Sequence, residues 1–169
     1  MMRRVLLSLV AGAIGLSLAR ADELRVTFPR DYTETFTNYL SLDRVQNPDQ
    51  IIRLFANDPA IEAGSRGAEL PDGSVLVGEV YSARKDAEGN IALSNLGRRI
   101  REKLVAIAVM EKRSGWGSAF PENLRNGDWD FAIFSPDGKP LDKDLNACRA
   151  CHAPLQESQH IFSLQHLVK

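Results

Sequence analysis

The chain of 169 residues is 44% hydrophobic and 25% charged, with a formal net charge of −1, 2 cysteines and 3 histidines. This length and composition fit one globular domain that buries roughly 70% of its unfolded surface, and they exclude a disordered tail. The lack of a long basic block argues against nucleic-acid binding, and two cysteines are too few for the bridged framework of a small secreted scaffold.

Residues 1–21 read as a secretory signal. Arg3 and Arg4 precede an apolar run from Val5 to Ala19, and Ala19-Arg20-Ala21 is a small-x-small cleavage pattern. The run of about 15 residues falls short of the roughly 20 that span a bilayer, so a membrane anchor is the weaker reading. Cleavage after Ala21 removes Arg3, Arg4 and Arg20 and no acid, taking the net charge from −1 to −4. The expected product is a single domain of residues 22–169 with no membrane span, placed in the periplasm.

From Asp31 to Leu40 the pattern suggests a helix capped by Asp31, with Tyr32, Phe36 and Tyr39/Leu40 on one face. Gln50–Ala56 is a short apolar-bearing segment stopped by Asn57-Asp58-Pro59, read as a turn, with a glycine-containing loop following to Leu70. Pro71-Asp72-Gly73 marks a turn into a strand over Ser74–Tyr81, which Gly78 weakens or bulges. Asp86 to Asn90 reads as a hairpin-type turn. Within Ile100–Lys112, a strand from Leu104 puts Val105, Ile107 and Val109 on one face, until Ser114-Gly115-Trp116-Gly117 breaks it. Trp129–Phe134 is another strand, with Trp129, Phe131 and Ile133 sharing a side, closed by the turn Pro136–Lys139. Asp142 or Asp144 caps a helix carrying Leu145 through Cys151, and Gln159–Val168 is short and amphipathic. The order predicts an α+β fold: a mainly antiparallel β-sheet flanked by helices, with the last helix near the C-terminus.

That last helix carries Cys148-Arg149-Ala150-Cys151-His152, a CxxCH motif. Two thiols three positions apart can add across the vinyl groups of a haem, and the adjoining histidine is then held beneath the iron as its ligand. The motif therefore points to one haem c, bonded through Cys148 and Cys151 with His152 as proximal iron ligand. A thioredoxin-like pair would open a helix after an early strand, a zinc site needs four ligands and has no second cysteine pair, and a plain disulfide leaves His152 without a role. Met110, His160 and His166 are the other residues able to close the iron. Met110 reads as strand core and the two histidines as solvated or supporting groups, so a five-coordinate iron with an open face is expected.

Beyond the motif, the chain resembles the cytochrome P-460 family, which includes the β-rich cytochromes c′-beta. The resemblance rests on Arg53-Leu-Phe-Ala-Asn-Asp-Pro59, Leu70-Pro-Asp-Gly-Ser-Val-Leu-Val77 with Glu79-Val80-Tyr81, Val109-Met-Glu-Lys-Arg113 with Gly115-Trp116-Gly117, Asn126-Gly-Asp-Trp-Asp-Phe131, and Cys148–His152 with Ala153-Pro154. It implies a largely antiparallel sheet flanked by helices, commonly a homodimer, with a small nitrogen species or gas ligand at the iron and a periplasmic electron acceptor or donor. Members of the P-460 type proper oxidise hydroxylamine to nitric oxide or nitrous oxide, with a lysine–haem crosslink and an acid in a polar distal pocket. The c′-beta members have an apolar distal side and bind nitric oxide without turning it over; a simple electron-transfer cytochrome c is a further alternative. The crosslinking lysine falls near Gly78, which has no amine, leaving Lys85, Lys103 and Lys112 as other donors. Arg53 and Glu111 are the catalytic candidates. Arg53 could hydrogen-bond an iron-bound nitrogen species or form a structural salt bridge, and Glu111 could accept protons or pair with Lys112 or Arg113.

An absorption spectrum with intact mass tests this reading. Haem held only by thioethers gives an ordinary haem c spectrum, a crosslink red-shifts the ferrous Soret band, and a mass without haem contradicts the motif reading.

Overall fold

The computed structural model describes residues 24–167, so the signal of residues 1–21, its cleavage point and Val168 lie outside the described residues. Five antiparallel strands form one sheet in the order β1-β2-β3-β4-β5. These are β1 (Thr37–Asp43), β2 (Gln50–Ala56), β3 (Val75–Ala83), β4 (Arg101–Lys112) and β5 (Trp129–Phe134), flanked by helices α1 (Tyr32–Thr35), α2 (Asp58–Ser65) and α3 (Leu145–His152). The fold is α+β, with an antiparallel sheet flanked by helices. Among the described residues, no helix is long and apolar enough to cross a membrane.

Register assigns each side chain to one face, because directly paired residues point the same way and neighbours in a strand alternate. Phe55, Val77, Val109 and Ala132 lie opposite one another across β2 to β5, and so do Ala56, Leu76, Met110 and Phe131. The first row packs with Ile107 and Phe134 against Val26 and Tyr32 of the N-terminal segment. On the other face Ala56, Leu76 and Trp129 pack against Ala60 of α2, Leu70, and Ile161 and Leu167 of the C-terminal segment, with Met110 against them. The sheet therefore has two separate cores, one on each side.

Three elements differ from the sequence expectation. The helix expected over Asp31–Leu40 ends at Thr35, and β1 begins two residues later. Threonines at 33, 35 and 37 disfavour helix, and pairing with β2 offers the extended chain a full ladder. A bulge between Asn38 and Leu40 turns Tyr39 toward the C-terminal segment, where its hydroxyl meets Ser163 Oγ at 2.8 Å. The expected turn at Asn57-Asp58-Pro59 instead opens α2. Asn57 accepts from the Ala60 amide at 3.4 Å, and proline in the first turn suits a helix start. Gly64, within the expected loop, is a packing glycine: a Cβ there would lie 2.6 Å from Leu167 Cβ.

The third difference is in β4. Ile107 and Val109 share the buried face as expected, but a register shift at Val80/Tyr81 brings Leu104 against that core, and Val105 is 37% exposed. Gly78 produces no bulge; its place is filled by β2, since a Cβ there would meet Ile52 Cδ1 at 3.0 Å. The turn at Asp86–Asn90 forms as expected, with Asp86 Oδ1 accepting from the Glu88 and Asn90 amides.

Burial holds the Tyr39 phenol at about 12, against an ordinary 10.0. Burial, with a hydrogen bond to Glu79, also raises Tyr32 and Tyr81. A phenol whose value is raised by folding contributes stability that is complete below the unfolded value and lost as pH climbs toward the folded one. The urea midpoint should therefore hold up to about pH 10 and fall above it, and Tyr39→Phe should make that fall shallower. Equal slopes in the two proteins between pH 10 and 12 would contradict the burial argument.

Candidate functional site

Asp144 caps the motif helix, its carboxylate accepting from the Asn146 amide at 3.0 Å, so of the two expected caps Asp144 is the one used. In α3 the three-residue spacing puts Cys148 and Cys151 on one side of the helix, one turn apart, with His152 following Cys148 by four. Both cysteines are free; Cys148 is half-buried and Cys151 exposed. Burial pushes the Cys148 thiol above its ordinary 9.0 and keeps it protonated.

Arg149, between the two cysteines, points the other way. It is 3% exposed, and its Nη2 and Nε donate to Asp130 Oδ1 at 2.7 and 3.2 Å. Its Nη1 donates to Asn146 Oδ1 at 2.9 Å, and the guanidinium sits 4.1 Å from the Phe120 ring centroid. The Arg149 carbonyl accepts from Asn126 Nδ2 at 3.1 Å. Side chain and backbone together fix α3 to the edge strand β5. Sequence reading missed Arg149, Asp130 and Asn126, because the two middle positions of a CxxCH motif show no pattern that separates a buried arginine from a solvated one.

His152 is held in one orientation. Its Nδ1 lies 2.7 Å from the His160 carbonyl oxygen. A carbonyl only accepts, so Nδ1 carries the proton and Nε2 keeps its lone pair. Burial pushes the imidazole below its ordinary 6.5, which favours this neutral form. The ring is flanked by Phe131 at 5.0 Å and Phe162 at 4.8 Å between centroids.

Among the described residues, no group of three or more His, Cys, Asp or Glu is placed to hold a bare metal ion. What the site presents is one neutral imidazole with a supported Nδ1, directly after the second of two free thiols and one helical turn after the first. That donor set fits a haem c, whose macrocycle brings four of the iron's ligands and asks the protein for an axial base and two thioethers.

The remaining candidates are dispersed. Phe131, opposite Met110 in the register, places His152 on the Met110 face of the sheet. Arg53 and Glu111 lie on the other face, in the rows of Glu79 and Val75. Arg53 Nη1 pairs with Glu79 Oε2 at 3.1 Å and stacks on Phe55, and Glu79 also accepts from the Tyr32 and Tyr81 hydroxyls. Glu111, 6% exposed, accepts from Arg113 Nε at 2.7 Å. The structure thus brings Cys148, Cys151 and His152 together and puts neither Arg53 nor Glu111 with them. Lys85 pairs with Asp49 at 3.5 Å, Lys103 is exposed, and Lys112 is held by Glu69 at 2.7 Å and the Leu70 carbonyl at 2.8 Å. His166 is exposed. His160 meets His152 twice, through its carbonyl oxygen at 2.7 Å from Nδ1 and through its own ring Nδ1 at 3.3 Å from the His152 carbonyl oxygen. A cleft of about 460 Å³ opens beside His160, lined in part by Lys112, Glu69, Asp128 and Gln159 but by none of the three motif residues.

Removing one partner of a buried ion pair strands the other charge, so Arg149→Ala should cost about 3–5 kcal/mol in urea unfolding. Arg149→Met combined with Asp130→Leu should recover most of that loss. A mild single effect would contradict the account of how α3 is fixed.

No curated protein matches the chain. A family model does, over residues 29–163, a stretch that includes all five strands and the whole of α3: the chain belongs to the cytochrome P460 family.

Proposed function

We propose that the chain is an exported haem c protein of the P-460 type that binds a small nitrogen species, nitric oxide in the first instance. Cys148 and Cys151 would hold the haem through thioethers, and His152 would supply a nitrogen ligand to its iron. Bound there, the haem supplies an iron centre able to coordinate such a species or exchange electrons with it. Each protein group has a defined part. The His160 carbonyl keeps the Nδ1 proton and leaves Nε2 free to donate, while Phe131 and Phe162 restrict the ring. Arg149, bound to Asp130, turns the two thiols outward by occupying the inner side of the helix.

The observation that carries gas binding ahead of hydroxylamine oxidation is the division of the sheet's faces. On the His152 side β2, β4 and β5 direct Ile52, Leu54, Met110, Phe131 and Ile133, none of which titrates, and the Tyr39 phenol of β1 is buried against Ser163, its proton held by that burial to about 12. The cation on that side, Lys112, is already occupied by Glu69 and the Leu70 carbonyl. The carboxylate and guanidinium suited to moving protons, Glu111 and Arg53, face the opposite core in ion pairs of their own. Oxidising hydroxylamine requires a base that accepts protons as electrons leave; holding a neutral diatomic does not.

Titrating the ferrous holoprotein with nitric oxide should give a one-to-one complex, hydroxylamine turnover should not exceed that of free haem, and Glu111→Gln should leave gas affinity within about threefold of the parent. Turnover well above free haem that is lost in Glu111→Gln would instead support the oxidising reading, and an iron unreactive toward the gas would count against binding.

A further inference from the structure

We propose that Gln159 is the positioning residue that sets the donor strength of His152. The inference rests on His152 being the axial ligand, and begins from a backbone anomaly. Among the described residues, the only non-glycine positions with positive φ are Gln159 at 53° and His160 at 63°. Each costs an ordinary side chain about 1 kcal/mol or more, and neither is asparagine or glycine, the types that take this conformation most cheaply. Two such residues in succession need an external hold. What they achieve is specific: the chain doubles back so that the His160 carbonyl meets His152 Nδ1 at 2.7 Å.

Within the turn the His160 ring Nδ1 lies 3.3 Å from the His152 carbonyl oxygen; the hold from outside it is the Gln159 side chain. Its Oε1 accepts from the Leu70 amide at 2.8 Å, and its Nε2 donates to the Ala68 carbonyl at 3.3 Å. One amide thus spans both hydrogen-bonding directions of the α2–β3 loop. That loop is a firm support: Leu70 is fully buried in the core on this side of the sheet, and its carbonyl takes the Lys112 ammonium at 2.8 Å. The His160 amide donates to the Leu155 carbonyl at 2.6 Å, closing the turn from the other side. The hydrogen bonds of the Gln159 side chain go to Leu70 and Ala68, not to His152 or the cysteines. It acts by keeping one carbonyl aimed at Nδ1.

A carbonyl that accepts from Nδ1–H pushes electron density toward Nε2 and makes the imidazole a stronger base toward a metal. A firmly aimed carbonyl therefore favours ferric over ferrous iron, and a loosened one shifts the balance the other way. Gln159→Met keeps side-chain length and removes both hydrogen bonds. Gln159→Gly also removes them but adopts positive φ without strain, so it loosens the carbonyl less.

The test uses the full-length holoprotein, with haem attachment checked by intact mass. The midpoint potential should rise in Gln159→Met, so that the ferric-to-ferrous ratio at a fixed applied potential falls roughly three- to tenfold, the equivalent of about one net hydrogen bond. The iron–histidine stretch of the ferrous protein should fall in frequency with it, and Gln159→Gly should move both readouts in the same direction by less. If Gln159→Met does not fold, Gln159→Gly alone decides. Variants that carry thioether-bound haem at the parent potential and stretch would overturn the positioning role while leaving the haem reading intact. A parent protein with no haem by mass would overturn both.

Discussion

The buried contact between Arg149 and Asp130 determines which way the CxxCH helix faces. It places one of the most strongly hydrated side chains inside the protein, between two cysteines, and satisfies it there with a carboxylate, an asparagine and an aromatic face. The ionic attraction itself is weak evidence of stability, because desolvation offsets most of it. Its consequence is orientation. A helix of two turns has few contacts with which to choose a rotation, and seating Arg149 against the edge strand leaves the two thiols on the outer side and His152 against Phe131.

From that placement the division of the sheet follows. Strand pleating sends alternate residues to opposite sides, so one position along β4 separates Met110, on the His152 side, from Glu111, in the other core. The polar network of Arg53, Glu79, Tyr32 and Tyr81 belongs to this second core. There it satisfies a carboxylate that burial would otherwise make costly. The two faces thus carry different physical tasks: one holds the N-terminal segment with hydrocarbon and a closed polar cluster, and the other presents an apolar surface beside a directed imidazole.

Much of this was legible in the chain. The turn at Pro71-Asp72-Gly73 located β3 and period-two patterns located β4 and β5, and Trp129, Phe131 and Ile133 share a side because pleating sends alternate residues of a strand to one face. The CxxCH spacing identified the motif helix, and Asp144 was one of two named caps. The errors have physical sources. Asn57-Asp58-Pro59 serves equally as a turn and as a helix start, and Gly64 reads as loop unless one knows that Leu167 returns from the far end of the chain to press on it. Thr35 and Phe36 lie where a helical face and a strand are both plausible, and pairing with β2 decided between them. Val105 lost its place in the core to Leu104 through a bulge that no periodicity announces.

The sequence by itself determined the class of fold, the family and the presence of a CxxCH motif on the last helix, since each depends on the pattern along the chain. Only the tertiary structure decided which nitrogen of His152 is free, because the carbonyl that fixes its tautomer arrives through two left-handed residues held by a loop about 90 positions earlier. It also decided that Arg53 and Glu111 face away from His152. Residue type can nominate a proton carrier, but the side of the sheet it serves depends on register, and register is settled by pairing between strands distant in sequence.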